Sequence, residues 1–551
     1  MRKILLLLVL LTFTLLIAGC TQPHQHHYEE SGRTDPTCTE FGHVIYTCEC
    51  GESYVGETDG PIGHSFGEWV VEKKPTDCED GYQKRVCKCG EEEIEYFPAK
   101  VIHYWYDRDT KGYYVYGLTE PIDEIIIPST YMGFPVKGIA EGAFEGCRSI
   151  TSITIGDSMT EIGRVAFKDC TSLTTVTIGD SVTKIGDAAF LDCTSLTTVT
   201  IGDSVREIGH DAFYNCTSLE DVYYTGGIEE WIKINFFNSS SNPMCNFSNL
   251  HFRGELVTSI AISNSITSIG DYAFYGCTSL TSIEIPDSVT TIGDDAFYYC
   301  TALKYNEYDN AYYLGSEDNP YYALIRAKDQ GIEECEIHCD AKVIANNAFY
   351  YCKSLTSVVI GTSVTNIGNY AFYNCQSFKS VEIPDSVTSI GDYAFGHCGT
   401  ITIGNSVKSI GAYAFQQCRF ENLILPNSMT SIGDYAFASS VIENIVIPDS
   451  VTSIGDYAFY NCYWLTSIII PDSVTSIGDY AFRDCSYLNS ITIGSSVVRI
   501  GEEAFYNCDL LSSISFEGTV EMWNNITRGK NWKYNVPATE VICFNGKITF
   551  E

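Results

Sequence analysis

Positive charge and histidine are both scarce in this chain of 551 residues. It has 33 lysine and arginine residues against 70 aspartate and glutamate residues, a formal net charge of −37, and only 10 histidines. Nucleic acid and anionic membrane surfaces both require a basic face on the protein that binds them. The charge therefore argues against either as the main partner, whereas it tolerates cationic partners and divalent ions.

Motifs for common catalytic chemistries are missing as well. The sequence contains no nucleophile elbow, no His-Glu-x-x-His motif, no P-loop and no dinucleotide-binding fingerprint. Four histidines of the repeat region described next occupy unrelated positions: His210, His251, His338 and His397. The sequence therefore predicts a protein that is not an enzyme.

A unit of about 23 residues recurs along most of the chain. Its Ala-Phe pair supplies an anchor at Phe144, Phe167, Phe190, Phe213, Phe274, Phe297, Phe349, Phe372, Phe395, Phe415, Phe437, Phe459, Phe482 and Phe505. Most intervals are 22 or 23 residues, apart from one of 20 and two long ones of 61 and 52. Such a unit cannot bury its apolar face alone and must stack on copies of itself. The sequence therefore predicts a repeat solenoid.

Residues 280–300 show what one unit encodes. Ile283 and Ile285 alternate with a polar residue as in a short strand, and Pro286 ends that strand. The chain then returns to the core and reaches Phe297. Each coil is expected to place a strand on one side and an irregular or briefly helical segment on the other. Stacked coils would then form a curved parallel sheet.

The pattern L-x-x-I-x-I-P-x-S-V-T-x-I-G-x-x-A-F-x-x-C resembles the BspA-like, Treponema-type leucine-rich repeat family. The resemblance covers about residues 104–551. It implies a leucine-rich-repeat-like α/β solenoid, a surface or secreted location, and a role in adhesion or binding. It names no ligand, and a fold alone does not imply a function.

The N-terminus predicts export and lipid attachment. Two basic residues precede an apolar run from Ile4 to Ile17, and Ala18-Gly19-Cys20 follows. Residues 1–19 are thus predicted to be a lipoprotein signal peptide, Cys20 the lipidated residue and residues 20–36 a tether. The alternative is an uncleaved anchor. Either way, the protein is expected at a bacterial cell surface, anchored to the membrane and outside the cytoplasm.

Most of the 24 cysteines keep a fixed place in the repeat. Thirteen lie three residues after an anchor phenylalanine: Cys147, Cys170, Cys193, Cys216, Cys277, Cys300, Cys352, Cys375, Cys398, Cys418, Cys462, Cys485 and Cys508. Only the Phe437 coil differs, with Ser440. A residue in constant phase is most simply a small buried hydrophobe. Disulfides or metal between coils are the alternative.

A second set of cysteines precedes the solenoid and repeats with a histidine. The spacing Cys-x9-Cys-x-Cys-x13-His is followed by Cys-x8-Cys-x-Cys-x13-His, at Cys38, Cys48, Cys50 and His64 and at Cys78, Cys87, Cys89 and His103. Three thiolates and one imidazole complete a tetrahedral zinc shell. Small modules with little hydrophobic core need the binding free energy of such a metal in order to fold. Two structural zinc sites are predicted, with disulfides as the alternative. The segments resemble short Cys-rich repeats of Gram-positive surface proteins.

These features divide the chain. The predicted boundaries are Cys/His modules at 37–70 and 71–103, an N-terminal cap at 104–140, a solenoid at 141–512 with insertions near 220–256 and 304–340, and a C-terminal cap at 513–551.

Irregular positions on the outward strand face favour a binding scaffold over a uniform structural array. Early coils carry threonine there, whereas three consecutive late coils carry Ile424, Val446 and Ile469. The residues two positions earlier, Asn422, Asn444 and Ser467, would give this stripe a polar border. We expect the stripe to bind an extracellular or surface protein, of a host or of another cell. The alternatives are a purely structural spacer and a carbohydrate-binding surface protein.

A tyrosine recurs two residues before the anchor phenylalanine in seven coils. The positions are Tyr272, Tyr370, Tyr393, Tyr413, Tyr435, Tyr457 and Tyr480, several of them beside an aspartate. Stacked coils would align them in a ladder that stabilises the array. Alternatively, Tyr435 and Tyr457 belong to a platform that binds carbohydrate or protein.

Overall fold

The structure is a computed structural model that describes residues 27–49, 51–57, 60–74, 81–97, 101–420 and 423–550. The signal peptide and the predicted residues Cys20, Cys50, Cys78 and Asn422 lie outside these ranges. The chain divides into two compact units. One ends at Val101 and includes Tyr131–Gly133, and the other contains Ile102–Thr130 and the chain from Phe134 onward.

The N-terminal unit contains two antiparallel sheets of three strands each. Their strands are Tyr28–Thr34, His43–Cys48 and Ser53–Glu57, then Val70–Lys73, Gly81–Val86 and Glu92–Phe97. The first strand, Tyr28–Thr34, lies inside the predicted tether, residues 20–36. It forms because its backbone pairs with His43–Cys48, and because Tyr28 packs edge-on against Tyr54 at 4.9 Å between ring centroids.

The second unit is a solenoid whose first side is a row of parallel strands. The strands of this row are Glu124–Ile127, Ser152–Ile155, Thr175–Ile178, Thr198–Ile201, Asp221–Tyr224, Asn249–Phe252, Ser259–Ala261, Ser282–Glu284, Glu334–Glu336, Ser357–Val359, Ser380–Glu382, Thr400–Thr402, Leu423–Ile424, Ile445–Val446, Ser467–Ile470, Ser490–Ile493, Ser513–Phe516 and Glu540–Cys543. Equivalent residues of successive coils pair in register, as Ile153, Val176 and Val199 do. These three side chains point inward and are at most 2% exposed. The predicted solenoid with a parallel sheet is confirmed.

A second row of parallel strands follows the turn after each first strand. It comprises Phe134–Ile139, Glu161–Ile162, Lys184–Ile185, Glu207–Ile208, Asn235–Phe236, Ser268–Ile269, Thr291–Ile292, Ala323–Ala327, Val343–Ile344, Asn366–Ile367, Ser389–Ile390, Ser409–Ile410, Ser431–Ile432, Ser453–Ile454, Ser476–Ile477, Arg499–Ile500 and Thr527–Arg528. Most of these strands have two residues, too few for a visible alternation in sequence. The sequence indicated only that the chain returns to the core here.

The third side of each coil carries the anchor phenylalanine in a tight turn. Alternate backbone N–H groups donate to the next coil, as from Tyr435 to Asp456 at 2.9 Å and from Phe437 to Ala458 at 2.9 Å. Tyr435 and Ser439 adopt positive φ values of 55° and 56°, which turn the chain around the ring. The segment is therefore irregular rather than briefly helical.

Helices occur only outside the regular coils of the described residues. They are Ile228–Trp231 and Val520–Asn525, with 3-10 turns at Ser239–Ser241 and Pro243–Asn246. Trp231 and Trp523 are each buried, so both helices seal a coil of unusual length. No helix in the described part of the chain has the length and apolarity needed to span a membrane.

Short antiparallel elements cover the ends and the second insertion. The remaining strands are Ile102–Asp107, Gly112–Leu118 and Thr130–Tyr131 near the first coil, Glu255–Leu256 at the end of the first insertion, Asn306–Tyr308 and Ala311–Leu314 in the second insertion, and Gly546–Thr549 at the C-terminus. The final hairpin leaves Glu540–Cys543 paired on both edges, which blunts the end of the row.

Candidate functional site

Three neighbouring strands of the first row expose one large apolar side chain each. Ile424, Val446 and Ile469 are 67%, 65% and 64% exposed. Ile424 pairs with Val446, and the parallel bridge between Asn444 and Ser467 places Ile469 beside Val446. We call these three residues the apolar stripe. Its members alternate with buried residues because a strand points successive side chains to opposite faces.

The surroundings of the apolar stripe are polar and acidic. Asn444 and Ser467 are exposed at its border. A groove of about 590 Å³ runs beside Val446 and Ile469 and is lined in part by Asp449, Asp472 and Glu517. The stripe therefore combines an apolar centre with an acidic edge.

Other coils treat the same outward position differently. Thr154 and Thr177 are exposed there in the early coils, and Thr200 is half-buried. On the C-terminal side of the stripe, Thr492 and Ser515 continue the row in polar form. Val359 is also 61% exposed, but Glu382 and Thr402 occupy the coils between it and the stripe.

A pair of exposed aromatic rings lies near the stripe in sequence and was not predicted. Trp464, 41% exposed, precedes the strand Ser467–Ile470 that carries Ile469, and its ring stacks on Tyr487 of the next coil at 5.3 Å. The signal in the sequence would have been an aromatic residue between the repeat cysteine and the following leucine in two successive coils.

The tyrosines before the anchor phenylalanines form a continuous stacked column. Six rings follow one another at centroid distances of 4.2–4.7 Å: Tyr370, Tyr393, Tyr413, Tyr435, Tyr457 and Tyr480. Each ring is half-buried. Both faces of Tyr435 and of Tyr457 are covered by neighbouring rings, so only ring edges and hydroxyl groups remain for contact with another molecule.

The aspartates beside these tyrosines accept hydrogen bonds from backbone N–H groups. Asp434 Oδ1 accepts the N–H of Asp456 at 2.8 Å, and Asp456 Oδ1 accepts the N–H of Asp479 at 2.7 Å. In the same way, Asp392 Oδ1 accepts the N–H of Ala412 at 2.7 Å. Each aspartate therefore ties its coil to the next one.

The repeat cysteines occupy the core. Among the thirteen, twelve are buried and Cys147 is half-buried, and all are free thiols. Cys462 Sγ donates to the Phe437 carbonyl of the preceding coil at 3.1 Å. Burial raises the pKa of Cys462 to about 12, so the thiol stays neutral. Ser440 makes the equivalent bond to Phe415 at 2.6 Å.

The Cys/His residues of the N-terminal unit group differently from the prediction. Cys38, His64, Cys87 and Cys89 lie together, with all four potential ligand atoms within 4.8 Å of one another. Hydrogen bonding to Cys87 raises the pKa of Cys38 to about 11. The pKa of Cys87 is lowered to about 6, chiefly by a backbone hydrogen bond from Cys89 and further by a hydrogen bond with the His64 side chain.

The remaining predicted ligands do not join this group. Cys48 is buried at the end of its strand, and His103 lies in the other unit with its ring stacked on Tyr116 at 5.1 Å. Cys50 and Cys78 lie outside the described residues. A ligand set confined to each module is therefore not the arrangement of the described residues.

The repeats match a known protein family. The family described as BspA type leucine rich repeat region matches residues 112–243, 246–317, 342–462 and 408–527, which together exceed half of the chain. The chain belongs to the BspA-type leucine-rich repeat family. The recurring strand, corner glycine, Ala-Phe pair and cysteine are thus the features of a BspA-type repeat.

Solved structures of other bacterial leucine-rich repeat proteins resemble the chain. The T. pallidum leucine-rich repeat protein is 27% identical, over 38% of this chain and 90% of its own, with a TM-score of 0.28. A leucine-rich cell surface protein from Faecalibacterium prausnitzii A2-165 is 26% identical, over 77% and 96%, with a TM-score of 0.28. A protein from Bacteroides ovatus ATCC 8483 is 24% identical, over 76% and 99%, with a TM-score of 0.31. No curated protein matches the BspA-type chain significantly.

Proposed function

We propose that the protein is a non-catalytic scaffold at a bacterial cell surface, anchored through lipid on Cys20, and that it binds an extracellular protein through the apolar stripe. The observation that carries this proposal is the exposure of Ile424, Val446 and Ile469, each above 60%, on three adjacent strands. The surface location is supported by family membership and by the F. prausnitzii relative, which is described as a cell surface protein.

Exposed apolar area on the stripe favours association with a partner that covers it. Burying apolar surface is worth about 25 cal/mol per Å², so a partner that covers three large side chains gains several kcal/mol. A solitary exposed apolar residue is ordinary on a protein surface, whereas a contiguous group marks an interaction site. Ile424, Val446 and Ile469 are contiguous because the register of the parallel strands aligns them.

The edge of the stripe indicates what kind of partner fits. An apolar centre with a polar rim is the usual anatomy of a protein interface. Asp449, Asp472 and Glu517 line the adjoining groove, and the whole chain carries a net charge of −37. A protein with an apolar centre and basic residues around it would complement both features. The stripe is too small to be a complete interface, so neighbouring residues would contribute to it.

The test is capture of candidate extracellular-matrix and cell-surface proteins by the immobilised full-length chain. We expect the triple variant Ile424→Glu/Val446→Glu/Ile469→Glu to lose at least about tenfold in affinity, because burying one unpaired carboxylate already costs more than 1.4 kcal/mol. The matched control is Thr154→Glu/Thr177→Glu/Thr200→Glu, which adds the same charge at the same repeat position of early coils.

Circular dichroism and thermal unfolding would establish that both triple variants remain folded. Equal capture by the two variants and the wild type would remove the apolar stripe from consideration.

A further inference from the structure

Four metal-binding side chains converge from both N-terminal modules onto one point. Cys38 Sγ lies 3.5 Å from Cys87 Sγ, and His64 Nδ1 lies 3.3 Å from Cys89 Sγ. All four donor atoms are within 4.8 Å of one another. In a tetrahedral zinc site with Zn–S bonds of about 2.3 Å, the sulfur atoms are roughly 3.7 Å apart. The donor spacing therefore suits a Cys3His zinc shell.

We propose that Cys38, His64, Cys87 and Cys89 bind a single zinc ion that fastens the two modules to each other. This site takes half of its ligands from each predicted module, where one complete set per module was expected. This zinc site lies in the N-terminal unit, and its existence does not depend on the function of the apolar stripe.

Backbone hydrogen bonds explain how distant ligands meet. The N–H of Ile62 donates to the Thr37 carbonyl at 3.0 Å, which brings the segment before His64 beside Cys38. The N–H of Gly67 donates to the Val86 carbonyl at 3.1 Å, which carries the segment after His64 alongside Cys87. His64 is thus held between the two cysteine-bearing segments by contacts that do not involve a metal.

The turn that presents Cys87 and Cys89 is well defined. The N–H of Cys87 donates to the Glu91 carbonyl at 2.8 Å, and the N–H of Gly90 donates back to the Cys87 carbonyl at 2.9 Å. Gly90 has φ of +93°, a conformation that favours glycine, and the Cβ of another residue would be strained there. Two sulfur ligands separated by one residue therefore leave the same hairpin.

The small core of the unit gives the metal a structural purpose. Among its described residues, the buried hydrophobic side chains are only Val44, Cys48, Cys87 and Val101. So few buried side chains cannot offset the conformational entropy of ordering two modules, and small domains of this kind depend on disulfides or metals. Zinc bound at the junction would contribute its binding free energy to folding.

The experiment measures zinc per chain in the full-length protein, purified under reducing conditions and dialysed against trace zinc. We expect Cys38→Ser and Cys89→Ser each to lose one equivalent relative to the wild type. The double variant Cys38→Ser/Cys89→Ser should lose the same single equivalent, because both residues hold one ion. Separate sites in each module would instead cost the double variant two equivalents, which would overturn the proposal.

Two further variants separate ligand loss from misfolding. Cys89→His supplies a different zinc ligand at the same position and should retain the equivalent that Cys89→Ser loses. His103→Ala removes a predicted ligand that lies in the other unit and should leave zinc unchanged. Full zinc content in Cys89→Ser would contradict the proposal, as would wild-type protein without zinc whose unreduced form contains a Cys38–Cys87 disulfide by mass spectrometry.

Discussion

Position 440 shows what the repeat requires of its cysteines. Serine stands there in place of cysteine, and its hydroxyl donates to the Phe415 carbonyl just as Cys462 donates to Phe437. Both side chains are buried. The requirement is therefore a small side chain with a hydrogen-bond donor that pairs a buried carbonyl of the preceding coil. Neither a disulfide nor a reactive thiol is needed for that role.

The first prediction concerns the thiol of Cys462. Cys462→Ala should lower the free energy of unfolding by about 0.5–1.5 kcal/mol, because it removes one of the two hydrogen bonds that the buried Phe437 carbonyl accepts, the other coming from the Ser440 N–H at 3.1 Å. Cys462→Ser should cost less, since serine already serves at position 440. Chemical denaturation followed by circular dichroism measures both. If alanine is tolerated as well as serine, packing alone explains the cysteine ladder.

The tyrosine column forms only when several coils are stacked. Each tyrosine contributes one half-buried ring, but six coils in register turn these rings into a continuous stack with centroids 4.2–4.7 Å apart. The neighbouring aspartates accept backbone N–H groups from the next coil. Aromatic pairs stabilise a fold by about 0.5–1.5 kcal/mol beyond their buried area. The column therefore has a structural role whether or not it also binds a ligand.

The second prediction concerns this column. Tyr435→Ser/Tyr457→Ser removes three stacked contacts and should lower the free energy of unfolding by about 2–4 kcal/mol. Capture of a protein partner by the still-folded variant should match the wild type. Tyr214→Ser is the control, because Tyr214 is an exposed tyrosine outside the column. Loss of capture at unchanged stability would instead identify the ring edges as a binding platform.

At the scale of the whole molecule, acidity and repetition act together. A net charge of −37 keeps a long repeat protein soluble and repels anionic surfaces. At the C-terminal end of the first row, the hairpin strand Gly546–Thr549 pairs with the free edge of Glu540–Cys543. Stacking of this kind makes stability a sum over coils and their interfaces, so a local substitution loosens its own neighbourhood first.

The third prediction tests how the molecule is held at the cell. Bacteria that express the full-length chain and are fed labelled palmitate should incorporate the label, and the protein should sediment with membranes. Cys20→Ala should abolish both, because several acyl chains on one residue are needed for firm anchoring. Cys147→Ala, a half-buried cysteine of the first coil, is the matched control. A soluble, unlabelled wild type would contradict the lipid anchor.

The solenoid can be predicted from the sequence alone, together with the parallel register and the alignment of Ile424, Val446 and Ile469. A period of about 23 residues forces equivalent side chains of successive coils into contact, so the position of one residue within its unit predicts its neighbours. The buried cysteine ladder could be anticipated for the same reason. Periodic information is local, and it is repeated many times along the chain.

Features that have no period depend on contacts between distant segments of the chain. The second row of strands is too short to show alternation, and the covered faces of Tyr435 depend on ring distances that a sequence does not contain. Cys38 meets Cys87 rather than Cys48 because hydrogen bonds between Thr37 and Ile62 and between Gly67 and Val86 set the path of the chain. Ligand spacing constrains a metal site only when its ligands come from one local segment. In this protein, contacts between separate segments determine which cysteine and histidine side chains come together.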